Sequence, residues 1–382
     1  MGRHLAANAL SLLIVLLVLV AGLIAWGQRQ YAAPGPLTEA VAFEVPSGAT
    51  FNATADRLKE AGIIGNAAVF RIGARYAGTD DGLKAGIYEI PAGASMEKIA
   101  VLLEEGSAVS SRYRVTYQAG LREVNLRFAD LIDPVPEDAD VADLIAKAEA
   151  SGASIEYRVT VAEGLTSWRV VEALKEIGKL EGDIAAVPPE GALAPDTYDF
   201  RAGDSRQGLI DRMAEAQTRL LAEAWAARAR DLPVATPEEL LVLASIIEKE
   251  TGVPEEREQV ASVFVNRLRQ GMKLETDPTV IYGITNGEGV LERGLRRSEL
   301  RAETPYNTYV IAGLPPGPIA NPGRASLMAA AQPGQTPFLF FVADGTGGHA
   351  FAETLADHNR NVEVWRRIEA QRGEEQRPVQ GE

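Results

Sequence analysis

The chain has 382 residues, 46% of them hydrophobic and 24% charged, with a net charge of −15. That length suggests two or three domains, and the acidic balance argues against a nucleic-acid binder held by a basic surface. With no cysteine and only His4, His349 and His358, thiolate metal sites and disulfides are excluded, and little remains for a multi-histidine centre.

From Leu5 to Gln28 no residue is charged, and "ALSLLIVLLVLVAGLIAW", Ala9 to Trp26, is apolar save for Ser11 and Gly22. At about 1.5 Å per residue this stretch can cross a hydrocarbon core of about 30 Å. Arg3 and the amino terminus favour a cytoplasmic start, which Arg29 weakens. A cleaved signal peptide is the alternative, but its apolar region is usually shorter, and no clean A-x-A site follows. The expectation is a cytoplasmic start at 1–8, a single-pass anchor at 9–28 and a Pro/Gly-containing linker at 29–41. The rest of the chain would lie outside the cytoplasm.

Next comes a recurring pattern. "FEVPSGATFNATADRLKEAG" (Phe43 to Gly62), "YEIPAGASMEKIAVLLEEG" (Tyr88 to Gly106) and "VTVAEGLTSWRVVEALKEIG" (Val159 to Gly178) each join a β-like run, a turn with glycine, a capping hydroxyl and an amphipathic run. "VTYQAGLREVNLRFADLI" (Val115 to Ile132) is a looser fourth version. The spacing is irregular, so these are either duplicated units or common building blocks of one α+β domain. A long surface helix is expected over Ser205 to Arg230. Another starts at Thr236 with Pro237 and Glu239 in capping positions, and a third runs from Pro254 to Gly271. "ETDPTVIYGI", "TPYNTY" and "AGLPPGPIANPG" read as loops, "PFLFFVADG" as a strand, and 368–382 as a flexible tail.

The second of these helices ends in "LASIIEKETG", Leu243 to Gly252. Carboxylates are disfavoured at a helix C-terminus, so Glu248 and Glu250 raise the question of what places them there. With Leu240 at zero and about 100° per residue, Glu250 falls between Ile246 and Leu243, Glu248 beside Ala244, and Lys249 on the side of Ser245 and Val242. A carboxyl among bulky aliphatics loses solvation and keeps its proton near neutrality, the state a general acid needs. Glu250 is the better placed of the two, and a solvated helix end is the bland alternative. Asp277 before Pro278 fits turn chemistry. Tyr306, Asn307 and Tyr309 can form a sugar-binding wall of rings and amides or can be packed irregular backbone. His349, after "GTGGH", fits a structural role better than a ligand or base. No nucleophile elbow, P-loop or H-E-x-x-H is present.

At "LASIIEKETGVPEEREQVASVFVNRLRQGMKLETDPTVIYG" the sequence resembles the endolytic murein transglycosylases of the MltG/YceG-like family. "TPYNTYVIAGLPPGPIANPG", "PFLFFVADGTGGHAFAETLADHN" and "GALAPDTYDF" extend the likeness over most of the chain. The resemblance implies a LysM-like subdomain at 42–110 and a mixed α/β catalytic domain at 111–367. It also implies a bacterial inner-membrane enzyme without cofactors that cleaves nascent peptidoglycan strands internally and leaves 1,6-anhydro-N-acetylmuramyl ends. It carries the catalytic role to Glu250 and maps the family's second tyrosine after the "SPYN"-type sequence to Tyr309, and the residues expected to bind substrate are Tyr309, Asn307, Tyr306, Asp277 and Asn266. Thr304 stands where the family often has Ser, and Leu193-Ala194 where it tends to have bulkier residues. One acid suffices for this chemistry, because the muramyl C6 hydroxyl replaces water as nucleophile, and the sequence offers no obvious second carboxylate. Peptidoglycan synthases are candidate partners. A non-catalytic wall-binding module and a membrane-anchored scaffold for wall synthesis are the rival functions.

Overall fold

The computed structural model describes residues 2–46, 48–106, 111–132, 134–136, 138–150 and 155–375, with side chains described from 14 to 372. It is an α+β chain of two compact units, residues 1–115 with 128–156, and residues 116–127 with 157–382.

The first unit opens on helix α1, Gly2–Ala32. Its stretch Ile14–Ala32 is long and apolar enough to cross a membrane, and the large side chains from Ile14 to Ile24 are exposed. The start of the expected anchor, 9–13, lies outside the residues with described side chains. Strands β1 (Val41–Val45) and β2 (Gly86–Ile90) pair antiparallel with Phe43 opposite Tyr88. Helices α2 (Phe51–Glu60), α3 (Ala67–Ala77) and α4 (Met96–Glu105) complete the core with Leu58, Phe70, Ile99 and Leu103. Thr50 and Ser95 accept hydrogen bonds from the backbone N–H groups of Ala53 and Lys98, so the two expected strand–turn–helix units start as the caps dictate.

A four-stranded sheet has the order β4-β3-β5-β6, with β3 at Tyr113–Ala119, β4 at Val124–Asp130, β5 at Ile155–Val161 and β6 at Thr197–Phe200. The third unit holds, with Thr166 capping α6 (Ser167–Glu176) after β5. The fourth does not: Val115 to Ile132 forms two strands and no helix. The Gly120 N–H donates to the Glu123 carbonyl at 3.0 Å and closes a tight turn there, and no hydroxyl stands where a helix would need its cap. Helix α5 (Val141–Ala150) lies between these strand pairs in the sequence.

In the second unit, α7 (Arg206–Ala227) is capped by Ser205 and buries one face through Leu209, Met213 and Ala224. Helix α8 (Pro237–Glu250) packs against α7, α9 (Arg257–Arg269) and α11 (Arg324–Ala331), with every residue from Val242 to Ile247 buried. Thr236 accepts from the Glu239 N–H, and the Glu239 carboxylate reaches back to the Ala235 N–H. The third helix of the sequence reading begins as a 3-10 turn, Pro254–Glu256, before α9. "DPTVIYGIT", read as a loop, is helix α10 (Asp277–Thr285), because Asp-Pro serves as its first turn and Asn286 ends it at φ 52°. The expected strand is β7 (Phe340–Ala343), which pairs with β8 (His349–Ala352). Helix α12 (Leu355–Glu375) continues past residue 368, so the first part of the expected tail is helical; 376–382 lie outside the described residues.

Candidate active site

Helix α8 is greasy through Ile247 and then turns its last three side chains to three tasks. Glu248 Oε2 accepts the Gly323 N–H at 2.8 Å, which satisfies a free donor at the start of α11. Lys249 Nζ donates to the Gly164 carbonyl at 3.2 Å. Glu250, half-buried, enters a cavity of about 200 Å³ that is also lined by Phe264, Arg267, Leu274, Glu275, Thr276, Asp277, Tyr309 and Phe341.

Burial pushes the Glu250 carboxyl above the usual carboxylate range, and the negative charge of Asp277 pushes it further. A hydrogen bond from Thr276 Oγ1 to Glu250 Oε1 and the His349 ring work in the opposite direction. Oε1 is occupied as an acceptor, and Oε2 has no hydrogen-bond partner among the described residues. Asp277 Oδ1 accepts from the Tyr309 hydroxyl at 2.7 Å. Burial, then that bond and the charges of Asp277 and Glu250, raise the Tyr309 phenol, so it remains a donor.

The backbone that presents Thr276 is held in an unusual shape. Glu275 sits in the left-handed region at φ 49°, which costs a non-glycine residue on the order of 1 kcal/mol or more. Its N–H donates to the Thr308 carbonyl at 3.2 Å, and Thr308 Oγ1 accepts the Thr276 N–H at 3.0 Å. Thr279 Oγ1 lies 2.8 Å from both Thr308 Oγ1 and the Thr276 carbonyl. The buried Arg267 guanidinium ties the same loop down by donating to the carbonyls of Lys273, Leu274 and Leu339. Thr276, Thr279 and Thr308 are at most 3% exposed, so the acid rests on a rigid bed of paired hydroxyls.

A model of the YceG-like family matches residues 43–131 and 132–364. The chain belongs to that family. The endolytic murein transglycosylase of Bacillus subtilis (strain 168) is 30% identical over 326 residues, covering 85% of this chain and 84% of that protein. The one from Streptococcus pneumoniae serotype 2 (strain D39 / NCTC 7466) is 26% identical over 377 residues, and the match spans 94% of this chain but 65% of that relative. The crystal structure of a yceG-like protein from Listeria monocytogenes aligns over 84% of this chain and 98% of its own, at 25% identity and a TM-score of 0.45.

In this YceG-like chain the residues singled out from the sequence fall into two groups. Glu250, Asp277 and Tyr309 meet in one cavity. Asn266, Asn307 and Tyr306 do not line it. Asn266 spends both amide hydrogens on the carbonyls of Thr336 and Phe338, strapping α9 to the segment that leads into β7. Asn307 is fully buried and donates to the carbonyls of Glu299, Leu300 and Ala302 while accepting the Tyr309 N–H, so it shapes the loop instead of facing solvent. Tyr306 packs on Tyr282 with ring centroids 4.9 Å apart, and Tyr282 in turn bonds the half-buried Glu190 carboxyl. The sequence reading saw no second carboxylate, whereas the cavity holds Asp277 beside Glu250. It also missed Thr276 and Arg267, which stand inside the longest motif, and Thr308, which stands inside "TPYNTY", because polarity alone did not mark them out.

Proposed function

We propose that this chain is an endolytic murein transglycosylase, a peptidoglycan-cleaving lyase with Glu250 as its acid. The observation that carries the reading is the Glu250 carboxyl, which burial pushes above the usual carboxylate range, lining a polar cavity and held by a hydrogen bond from Thr276. The names of the B. subtilis and S. pneumoniae relatives support the same activity. Glu250 donates its proton to the glycosidic oxygen between N-acetylmuramate and N-acetylglucosamine as the C1–O bond breaks and the sugar gains oxocarbenium character. The resulting carboxylate takes the proton from the muramyl C6 hydroxyl as O6 closes onto C1. Glu250 returns to its starting state, no water is consumed, and the product carries a 1,6-anhydro end. Tyr309, held by Asp277, supplies a hydroxyl at the cavity wall for the sugar or its acetamido group.

In the same reading, α1 is a single-pass anchor in the inner membrane and the rest of the chain lies on its outer side. The strand–turn–helix fold around β1 and β2 is a LysM-like glycan-binding subdomain over 42–110, the catalytic domain covers 111–367, and cleavage near the membrane releases strands from peptidoglycan synthases. Asp277 favours one second reading, in which it activates water and the product is a reducing end. Mass spectrometry of muropeptides released from purified sacculi separates the two, because an anhydro end is one water lighter. Release of anhydro products is the expected result. Reducing ends alone would replace the lyase with a hydrolase, and intact sacculi would leave a wall-binding or scaffold protein.

A further inference from the structure

The junction between α1 and the rest of the first unit is tied down where the sequence led us to expect a linker. Helix α1 runs to Ala32 and packs on α3 and α4, and Tyr31 in its last turn joins the half-buried side chains around the core of that unit. A Cβ on Gly73 of α3 would collide with the Tyr31 ring, so glycine there lets the two helices close on each other. The following chain is laced to the turn before α4. The Gly35 N–H donates to the Gly93 carbonyl at 3.2 Å, and the Gly93 N–H donates to the Leu37 carbonyl at 2.8 Å. A Cβ on Gly35 would strike the Ala94 carbonyl oxygen, so this crossing is also close.

Trp26, the last residue of the apolar run, precedes Tyr31 by about 7.5 Å along a helix axis. The contact with α3 is therefore made where α1 leaves the apolar stretch. Beside it stand Tyr76, 85% exposed, and Ile72, 71% exposed, the two most exposed large hydrophobic side chains among the described residues. Residues four apart share one face of a helix, so they form a single stripe along α3, and Gly73 stands on its flank. Arg71 and Arg75 form a second row next to the stripe. Arg71 reaches Asp56 at 2.8 Å and Arg75 reaches Asp80 at 3.3 Å, yet the Arg75 side chain stays largely exposed.

From this placement we infer that the Ile72–Tyr76 face of α3 docks on the headgroup region of the bilayer that α1 crosses. The inference rests on the anchor role given to α1 above. An aliphatic side chain and an aromatic ring with a hydroxyl tip, flanked by guanidinium groups, match the chemistry of that region. The apolar parts enter the acyl boundary, while the Tyr hydroxyl and the Arg heads stay among phosphates and water. The bilayer is also the surface that the fold brings to this face, because the helix carrying the stripe is the one clamped to the anchor. The first unit then rests on the membrane instead of swinging from a tether, and the strands and helices around β1 and β2 are held at a fixed height above the lipid.

The chain has no cysteine, so a single introduced cysteine carries a single nitroxide label on the full-length protein. Labels on Ile72→Cys and Tyr76→Cys are read in liposomes of phosphatidylethanolamine and phosphatidylglycerol. Their collisions with oxygen, which collects in lipid, are compared with those of a water-soluble nickel chelate. Glu215→Cys, at an exposed acidic position of α7, gives the aqueous reference, and Leu19→Cys within α1 gives the bilayer reference. Labels at 72 and 76 should lose most of the nickel collisions seen at 215 and keep the oxygen collisions, with values between the two references. Adding Ile72→Glu to the Tyr76→Cys protein should return its label to aqueous values, and a label unmoved by that charge would show that the stripe does not make the contact. Aqueous labels at 72 and 76, with the Leu19 label in lipid, would overturn the docking and leave the anchor in place. Shielding from both reagents would overturn it in favour of a contact between copies of the chain. An aqueous Leu19 label would remove the anchor and the docking with it.

Discussion

Replacing Thr276 with valine isolates one hydrogen bond. The Thr276 side chain donates only to Glu250, while the neighbouring bonds of Thr279 and Thr308 go to the Thr276 backbone. Valine has nearly the same shape, so the loop keeps its other contacts. Hydrogen bonds to charged groups contribute about 1.5–3 kcal/mol, which is about 10- to 150-fold on the carboxylate form of the acid. The lost donor had favoured the ionised form, so its removal raises the Glu250 midpoint by one to two pH units on that scale. The active form is the protonated acid, and the alkaline limb of kcat/KM must therefore move to higher pH. In the plateau kcat should fall by about tenfold or more, because the carboxylate left after the first proton transfer has lost its partner. Turnover of soluble glycan strands between pH 4.5 and 9, beside thermal unfolding of each sample, reads both effects. A folded Thr276→Val protein with wild-type kcat and an unmoved alkaline limb would refute the orienting role of this hydroxyl.

Three further outcomes follow from the same geometry. Glu250→Gln should stabilise the protein at pH 8 and not at pH 4: a carboxyl whose folded pKa is raised contributes stability below its unfolded pKa and loses it as pH rises through the folded value. Equal unfolding temperatures of the two proteins at both pH values would contradict the burial cost assigned to Glu250. Glu248→Gln keeps an oxygen for the Gly323 N–H and should leave turnover near normal, whereas Glu248→Ala orphans that donor and should cost about 1–3 kcal/mol in denaturant melts. A reporter fused after Glu382 should be active only if it works outside the cytoplasm, and activity of a cytoplasm-only reporter there would reverse the proposed topology.

Local signals on the chain were read well where one residue type has one physical use. Thr50, Ser95, Thr166 and Thr236 each cap the helix that their position announces. Leu240 and the run Val242 to Ile247 are buried, which is why a carboxyl at the end of this helix could be expected to lose solvation. Reading failed where a residue has two uses. Asp277-Pro278 suits both a turn and a helical first turn, and only the packing of α10 against α8 decides between them. Asn266 and Asn307 looked like sugar-binding amides, but a buried amide is equally good at closing backbone carbonyls. The threonine bed under Glu250 was out of reach for a different reason. Thr276 and Thr308 are 32 residues apart, and neither belongs to a periodic pattern that would bring them together. Glu275 at φ 49° has no marker in the sequence, because the strain is set by Arg267 and Thr308.

The central claim is that Glu250 is the proton donor for glycan cleavage, and the most direct measurement compares muropeptide release from sacculi by the wild type and Glu250→Gln. The amide keeps the shape and can still accept from Thr276, but it cannot act as an acid. Release of anhydro-muropeptides should fall by about 10²–10⁴-fold to background while the unfolding transition is retained. Near-normal release by a folded Glu250→Gln protein would contradict the account, and loss of release in Glu248→Gln instead would move the acid to the face of α8 that holds Gly323.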